Sequence, residues 1–229
     1  MNSNDTPTIP FIKRIAHYFL HFDFTNWRYQ MAIRLFYPAV IWRDDKRGVD
    51  FYRDLSVAEL GLKEDVSGRY GGTRMYEIRK ILKKIKISDQ DSIVDFGCGK
   101  GATLAVFAEF PFRRITGVEL SDRACQVARK NMNVMGLEKV EILNIDARDC
   151  VDDLDEFNIF YFYNPFPAIV METVIKNILT SMDRKHRQVR IIYNYPVDAS
   201  IIEMTGRFQL MFTYKPFFFG GAINVYTGS

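Results

Sequence analysis

The sequence lacks the features that mark secreted, membrane-spanning and disulfide-stabilised proteins. Its N-terminus, MNSNDTPTIPF, has neither the basic start nor the apolar run of a signal peptide. No uncharged apolar stretch reaches the ~18 residues that a transmembrane helix requires. The three cysteines, Cys98, Cys125 and Cys150, show no CxxC or zinc-type spacing, so we expect reduced thiols. These absences predict a cytoplasmic protein without a transmembrane segment.

An excess of charge of one sign is also missing, and histidine is rare. Lysine and arginine number 31 against 28 aspartates and glutamates, an excess too small to indicate a nucleic-acid-binding protein. None of the three histidines, His17, His21 and His186, lies near a motif. The sequence therefore predicts no obligatory histidine base, and no set of metal ligands is evident. With 229 residues, of which 48% are hydrophobic, the chain can bury a sizeable core and suits one domain of ordinary size or a domain with an extension.

Two patterns divide the chain. Residues 1–88 are dense in aromatic and basic residues and predict a helical N-terminal extension or cap. In residues 89–229, short β-branched or aromatic runs alternate with helical patterns, which predicts an α/β fold with right-handed crossovers and a mostly parallel sheet. The two last runs have no helix between them and predict a terminal antiparallel hairpin. The seven runs are SIVDF (92–96), RITGVEL (114–120), KVEILNI (139–145), FNIFYFY (157–163), QVRIIYNY (188–195), RFQLMFTYKPF (207–217) and AINVYTG (222–228).

A glycine-rich loop follows the first run, in IVDFGCGKGATL. Gly97, Gly99 and Gly101 let the backbone turn sharply and approach a ligand, and the following helix directs free amide groups there. The spacing also fits the dinucleotide-binding pattern of nicotinamide enzymes. A glycine-rich turn without a ligand is the plainer alternative.

Two acidic residues follow the next two strands. Glu119 ends the second strand, where a carboxylate can accept both hydroxyl protons of a ribose. Its alternative role is a charge at the start of the next helix, where Ser121 or Asp122 could provide the cap. Asp146, followed by Ala147, comes after the third strand and could accept from the exocyclic amine of an adenine. A plain turn at the end of a strand would look the same.

An asparagine ends the aromatic fourth strand in YNPF. Ligands of open α/β sheets bind beyond the carboxyl ends of the strands, so Asn164 is expected to face the same crevice as the glycine loop. Its side-chain carbonyl and the carbonyl of Pro165 can accept hydrogen bonds from an amine, and Phe166 supplies a flat apolar wall. The alternative is an Asn-Pro turn that only terminates the strand.

In this order, VDFGCGKG, GVEL, NIDA, YNPF and a closing strand pair resemble the class I S-adenosylmethionine-dependent methyltransferases, over roughly residues 70–229. The resemblance implies a seven-stranded Rossmann-like sheet whose last strand is antiparallel. It also implies S-adenosylmethionine as the cofactor, held through its methionine part, its ribose, its adenine and its methyl end. The resemblance implies that the methionine part lies against Asp95, Gly97, Cys98, Gly99 and Gly101. It implies Glu119 at the ribose, Asp146 and Ala147 at the adenine, and Asn164 at the methyl end.

Two shorter resemblances concern the acceptor. YNPF is similar to the Asn-Pro-Pro-Tyr type motif of enzymes that methylate amino groups of adenine or glutamine, with Phe166 in place of the second proline. RYGGT is similar to the Tyr-Gly-Glu-Thr element of the non-SET histone lysine methyltransferases, with Gly72 in place of the glutamate. This second likeness implies that Tyr70 and Thr73 fold over the methionine end of the cofactor as a lid. The alternative is a surface turn in which Thr73 is a helix N-cap.

These features predict an enzyme that methylates an amino nitrogen, in protein lysine or another amine, by in-line transfer. Its catalytic candidates are Asn164, Pro165, Phe166 and Tyr70. Tyr161, Tyr163 and Phe166 are candidates for an aromatic environment that lowers the pKa of the amine, although alternate residues of a strand point to opposite faces and some of them must belong to the core. The alternatives are a nicotinamide-dependent oxidoreductase and a non-catalytic nucleoside-binding domain. The basic, aromatic segment 11–47 either docks the substrate, a membrane surface or a nucleic acid, or packs its aromatic residues on the core.

Overall fold

One sheet organises the part of the chain that the structure describes. The computed structural model describes residues 38–53, 75–216 and 221–229. Seven strands lie within these ranges: β1 Ser92–Phe96, β2 Arg114–Glu119, β3 Val140–Asn144, β4 Ile159–Tyr163, β5 Val189–Asn194, β6 Phe208–Tyr214 and β7 Ile223–Gly228. Their order across the sheet is β3-β2-β1-β4-β5-β7-β6.

The strand directions confirm the predicted fold class. Strands β1 to β5 pair in parallel, and β7 pairs antiparallel with both β5 and β6. The sheet is therefore mostly parallel and closes with an antiparallel hairpin, as the sequence predicts. The observed strands lie within the seven predicted runs, and most are a residue or two shorter at one or both ends.

Helices cover both faces of this sheet. Their bounds are α1 38–47, α2 Met75–Ile85, α3 Ala102–Phe107, α4 Asp122–Val134, α5 Ala168–Arg184 and α6 Ala199–Glu203, with 3-10 turns at Ala147–Asp149 and Asp152–Glu156. The predicted helical patterns after β1, β2 and β4 are confirmed as α3, α4 and α5. The helix α6 is not predicted, because a five-residue helix carries too little periodicity to be recognised.

Two hydrophobic clusters fill the two sides of the sheet. Helices α2, α3 and α4 pack on one side, and α5 and α6 pack on the other. Strand β4 supplies both: Tyr161 lies in the first cluster, whereas Phe160 and Phe162 lie in the second. The buried face of α2, with Ile78 and Leu82 at helical spacing, belongs to the same core as the sheet. This core holds the parallel strands in register, so their carboxyl ends meet at one edge.

No helix in the described ranges is long and apolar enough to cross a membrane. The three cysteines are free and buried, in agreement with the reduced thiols that the sequence predicts. His186 is exposed in the loop before β5, at the amino ends of the strands and away from the predicted crevice. Tyr70, Thr73, His17, His21 and residues 11–37 lie outside the described residues.

Candidate active site

Three neighbouring strands bring the central site residues together. Strand β1 lies between β2 and β4, so the glycine loop after β1 is flanked by Glu119 at the end of β2 and by Asn164 after β4. The sequence predicts these residues at strand ends, and the strand order makes them neighbours. The glycine loop and two polar side chains therefore meet at the carboxyl ends of these three strands.

The glycine loop turns back on the end of β2. The backbone N–H groups of Gly97 and Cys98 both donate to the carbonyl of Val118, at 2.8 and 3.1 Å. Gly97 has a φ of 77°, in the left-handed region that favours glycine. A Cβ at this position would come to 2.5 Å from the Cβ of Pro165. The loop thus contacts the YNPF turn directly, and a side chain at position 97 has no room.

Glu119 is buried and holds the loop through its carboxylate. One oxygen accepts the N–H of Gly99 at 3.0 Å, and the other accepts the N–H of Ser121 at 2.8 Å. Burial raises the pKa of Glu119, and these N–H donors only partly oppose the rise. Ser121 is the N-cap of α4, since its hydroxyl accepts from the N–H of Ala124. The N-cap of α4 is therefore provided by Ser121 and not by Glu119. The contact of Glu119 with a ribose stays a prediction.

Asp95 is a second buried acid, at the end of β1. One of its carboxylate oxygens, Oδ2, has no hydrogen-bond partner. Burial raises the pKa of Asp95 well above its usual range, and the nearby charge of Glu119 raises it further, against a hydrogen bond from Thr103. A buried acceptor without a donor is costly unless a ligand satisfies it. The amino group and sulfonium of S-adenosylmethionine are positively charged, and they fit this electronegative pair.

Asp146 is engaged by a neighbour rather than open to a ligand. Its Oδ1 accepts the N–H of Arg148 at 2.9 Å, and its Oδ2 forms an ion pair with the Arg148 guanidinium at 2.6 Å. The hydrogen bonds from Arg148 lower the pKa of Asp146 below its usual value. Ala147 packs against the second core cluster. An adenine contact at Asp146 would have to share the carboxylate with Arg148, and it stays a prediction.

The YNPF turn presents a strained asparagine. Asn164 has a φ of 39° and is half-buried. Phe166 packs edge-to-face on Phe162, with ring centroids 6.2 Å apart, so the core holds one side of its ring. Non-glycine residues with positive φ are uncommon, and asparagine is among the residues that tolerate it best. The turn therefore has a defined shape set by packing on both flanks.

The aromatic residues of β4 pack in or against the two core clusters. Tyr161 is fully buried, packs edge-to-face on Phe107, and accepts a hydrogen bond from Asn194 at 3.1 Å. The hypothesis that Tyr161 surrounds an acceptor amine is therefore wrong, because the alternation of the strand turns its side chain into the first core cluster. Tyr163 is only partly buried against that cluster.

Two residues near the loop were not predicted from the sequence. Lys100, inside the glycine loop, is buried, and its ammonium donates a hydrogen bond to Asp50. Asn131, on α4, donates hydrogen bonds to the carbonyls of Asp50 and Lys100. A lone charged residue between two glycines was the available signal for Lys100. Asn131 gave no local signal, since its partners are distant in sequence. In the described ranges no group of histidine, cysteine and acidic residues is arranged to hold a metal ion.

Known proteins share both the sequence and the fold of this region. Residues 93–187 match the family model described as a methyltransferase domain. Human EEF1A lysine methyltransferase 2 is 29% identical over 100 residues, which are 44% of this chain and 42% of that protein. The protein-L-isoaspartate O-methyltransferase of Helicobacter pylori strain P12 is 27% identical over 44% of this chain and 44% of that protein. The rRNA adenine N-6-methyltransferase of Lysinibacillus sphaericus is 28% identical over 49% of this chain and 41% of that protein.

The chain spans less than half the length of these curated relatives. Among solved structures, the ribosomal protein L11 methylase of Lactobacillus delbrueckii subsp. bulgaricus superposes with a TM-score of 0.53 at 14% identity, over 73% of this chain and 83% of that chain. This likeness concerns the fold. The family match begins in β1 and ends before β5, so it contains the glycine loop, both buried acids and the YNPF turn. We conclude that residues 93–187 form a methyltransferase domain of the class I type, for which S-adenosylmethionine is the cofactor.

Proposed function

We propose that the protein transfers a methyl group from S-adenosylmethionine to an amino nitrogen, in protein lysine or another amine. The observation that carries the proposal is the contact between Gly97 and Pro165, where a Cβ on the glycine would come to 2.5 Å from the proline. It places Asn164 beside the loop that would hold the methionine end of the cofactor. Donor and acceptor sites would then share one crevice.

The residues that would hold the cofactor are those of the glycine loop together with Asp95 and Glu119. The unpartnered Oδ2 of Asp95 accepts a donor or a positive charge, and the loop backbone admits close approach. When bound, S-adenosylmethionine supplies a methyl group that a nucleophile can take from a good leaving group. The protein then has to position the nucleophile and exclude water, a contribution on the order of 7–11 kcal/mol when the geometry is good.

Asn164 and Pro165 would position the acceptor. The side-chain oxygen of Asn164 and the carbonyl of Pro165 can each accept an N–H of an amine, which orients the nitrogen lone pair. Phe166, packed on Phe162, offers an apolar surface for an alkyl stem or a planar ring. An apolar wall also lowers the pKa of a lysine-like amine, so its neutral, nucleophilic form becomes more abundant.

The relatives support methyl transfer but name three acceptors. By their names, two act on nitrogen, in a protein lysine and in an rRNA adenine, and one acts on an isoaspartate oxygen. Two hydrogen-bond acceptors suit an N–H donor, whereas a carboxylate acceptor would be repelled by them. The YNPF turn thus favours nitrogen, and protein or small-molecule amines are the proposed partners, with nucleic acid as the competing class.

Transfer of a radiolabelled methyl group into fractionated cell lysate tests the proposal. We expect label in the protein or small-molecule fraction, and we expect it to survive mild alkali, because N-methyl groups are stable where methyl esters hydrolyse. Label in the nucleic-acid fraction would show that the methyl acceptor is a nucleic-acid base and not a protein or a small-molecule amine. Alkali-labile label would overturn the nitrogen assignment, and absence of label despite S-adenosylhomocysteine binding would favour a non-catalytic domain.

A thermal-shift series separates cofactor use from acceptor choice. S-adenosylmethionine and S-adenosylhomocysteine should raise the melting temperature, because a ligand that binds only the folded state stabilises it. NAD serves as the control, since the same glycine pattern occurs in nicotinamide enzymes. Stabilisation by NAD alone would contradict the assignment of S-adenosylmethionine as the cofactor, and the proposal of methyl transfer would fail with it.

A further inference from the structure

Lys100 is a buried cation inside the glycine loop. Its side chain is only 2% exposed, and its ammonium donates to Oδ1 of Asp50 at 2.9 Å and to the carbonyl oxygen of Arg53. Burying an ammonium is costly unless partners replace its water. Both partners come from residues 48–53, the segment that follows α1, which we call the strap. The strap thus supplies the hydrogen-bond acceptors that replace water around the Lys100 ammonium.

Asn131, on α4, joins the same two segments with a single amide group. Its Oδ1 accepts the N–H of Asp50 at 2.9 Å. Its Nδ2 donates to the carbonyl of Asp50 at 2.9 Å and to the carbonyl of Lys100 at 3.0 Å. Asn131 is buried, so these bonds are shielded from water. One side chain therefore fixes the backbone of the strap relative to the backbone of the glycine loop.

The strap is also held by Asp44, which lies on α1. The carboxylate of Asp44 accepts the N–H of Phe51 at 3.1 Å, and the carbonyl of Asp44 accepts the N–H of Val49 at 3.0 Å. Val49 is buried, and Phe51 packs against the first core cluster. The strap is thus a folded turn that docks on the domain and not an extended chain lying on its surface.

The glycine loop is consequently held from two directions. Glu119 accepts the N–H of Gly99 on the side of β2, whereas Asp50 and Asn131 hold the next residue, Lys100, from the side of the strap and α4. Gly101 is then the N-cap of α3, with a φ of 83°. Loss of the strap contacts would leave a buried ammonium without acceptors, at the point where the backbone must meet the cofactor.

We propose that Lys100 is a positioning residue and that the strap, through Asp50, belongs to the cofactor-binding machinery. The strap lies within residues 1–88, the part of the chain that the sequence places in an N-terminal extension. Docking of the strap and binding of the cofactor favour the same loop conformation, so each strengthens the other by the same factor. The proposal rests on S-adenosylmethionine as the cofactor, but not on the identity of the acceptor.

Calorimetric titration of S-adenosylhomocysteine tests this coupling, because it needs no methyl acceptor. We expect Lys100→Met, which keeps most of the side-chain volume but removes the charge, to raise the Kd about tenfold, equivalent to ~1.4 kcal/mol. Asp50→Asn, at a position whose side chain is 34% exposed, should raise it in the same direction and is the second variant if Lys100→Met does not fold. Lys139→Met, at an exposed lysine before β3, is the matched control and should bind as the wild type does.

Hydrogen exchange of residues 48–53 gives a readout that a purely structural role would not move. In the wild type, S-adenosylhomocysteine should slow exchange in the strap, and in Asp50→Asn and Lys100→Met this protection should be smaller. The double variant should bind about as weakly as Lys100→Met alone, because the two residues act as one pair. Lower stability with an unchanged Kd and unchanged ligand protection would overturn the proposal while leaving the methyl-transfer proposal intact.

Discussion

Gly97 and Pro165 lie against each other at the carboxyl ends of β1 and β4, so closely that a Cβ on Gly97 would come to 2.5 Å from the Cβ of Pro165. The two strands are direct neighbours in the sheet, which brings their following turns together. The contact couples the shape of the glycine loop to the shape of the turn that carries Asn164. Changes on either side of it should therefore be felt on the other.

Substitution of Gly97 by alanine should weaken cofactor binding through this contact. We expect Gly97→Ala to raise the Kd for S-adenosylhomocysteine at least tenfold, because the added methyl forces the loop away from Pro165. Gly136→Ala is the matched control: its φ of 67° is similar, but nothing lies within 4 Å of the added Cβ. The control should lose about 1 kcal/mol of unfolding free energy from the strained φ and keep its Kd. Equal binding by both alanine variants would show that the contact does not matter.

Removal of the Asn164 side chain should impair methyl transfer and spare cofactor binding. Asn164→Gly tests this without backbone strain, since glycine adopts the φ of 39° freely. We expect transfer to fall on the order of 100-fold through loss of acceptor positioning, with the Kd for S-adenosylhomocysteine within twofold of the wild type.

Lys86→Gly controls for the introduction of glycine, because Lys86 also has a positive φ, 56°, and lies far from the site at the end of α2. Its transfer rate should equal that of the wild type. Unchanged turnover in Asn164→Gly would return the asparagine to the role of a turn residue.

Asp95 should make the ligand-free protein less stable as the pH rises. Its pKa in the folded protein is raised by burial and by Glu119, so between the usual carboxyl pKa, about 4, and the raised value the folded state holds more protons than the unfolded state. The contribution of Asp95 to stability is therefore complete below about pH 4 and is lost as the pH rises through its folded pKa.

Asp95→Asn should accordingly flatten the dependence of the unfolding free energy on pH, measured by urea denaturation between pH 4 and 8. The variant should also bind S-adenosylmethionine more weakly, because it no longer presents a carboxylate to a cation. A pH profile identical to that of the wild type would contradict the assignment of this titration to Asp95.

Asp91 should show the opposite dependence on pH. It lies just before β1, where its carboxylate accepts from Ser88 at 2.8 Å and from Asn158 at 2.7 Å and pairs with Arg190 at 3.2 Å. Burial opposes ionisation, but these donors together lower its pKa in the folded protein. Its contribution is thus present above the usual carboxyl pKa and lost as the pH falls through the lowered value.

Asp91→Ala should cost about 3 kcal/mol of unfolding free energy at pH 7, because it leaves the partly buried Arg190 without its ion-pair partner. The cost should shrink in acid, where the wild type loses the same interaction. Asp89→Ala, at an exposed neighbouring residue, is the control and should stay within 0.5 kcal/mol of the wild type in the same urea titration. A cost at pH 7 no larger than that of Asp89→Ala would contradict the role of this pair.

The alternation of strands and helices was predictable because each element leaves a local periodic pattern. SIVDF predicts β1 with its observed bounds, and the helical spacing after β4 predicts α5. The missed helix, α6, has only five residues and no periodic signal. The prediction that Gly97, Glu119 and Asn164 lie at one edge of the sheet followed from their places at strand ends, and the strand order agrees with it. That step needs only the rule that parallel strands present their carboxyl ends at one edge.

The sequence by itself determined the elements, their order along the chain and the residue types that end each strand, because these depend on neighbours a few positions away. Only the tertiary structure decided that β4 lies beside β1, that Tyr161 belongs to the core, and that Arg148 engages Asp146. It also decided that Lys100 reaches Asp50 across a long stretch of sequence. Such pairs are selected by packing and by the cost of leaving buried charges unpaired, and neither is visible in a local stretch of sequence.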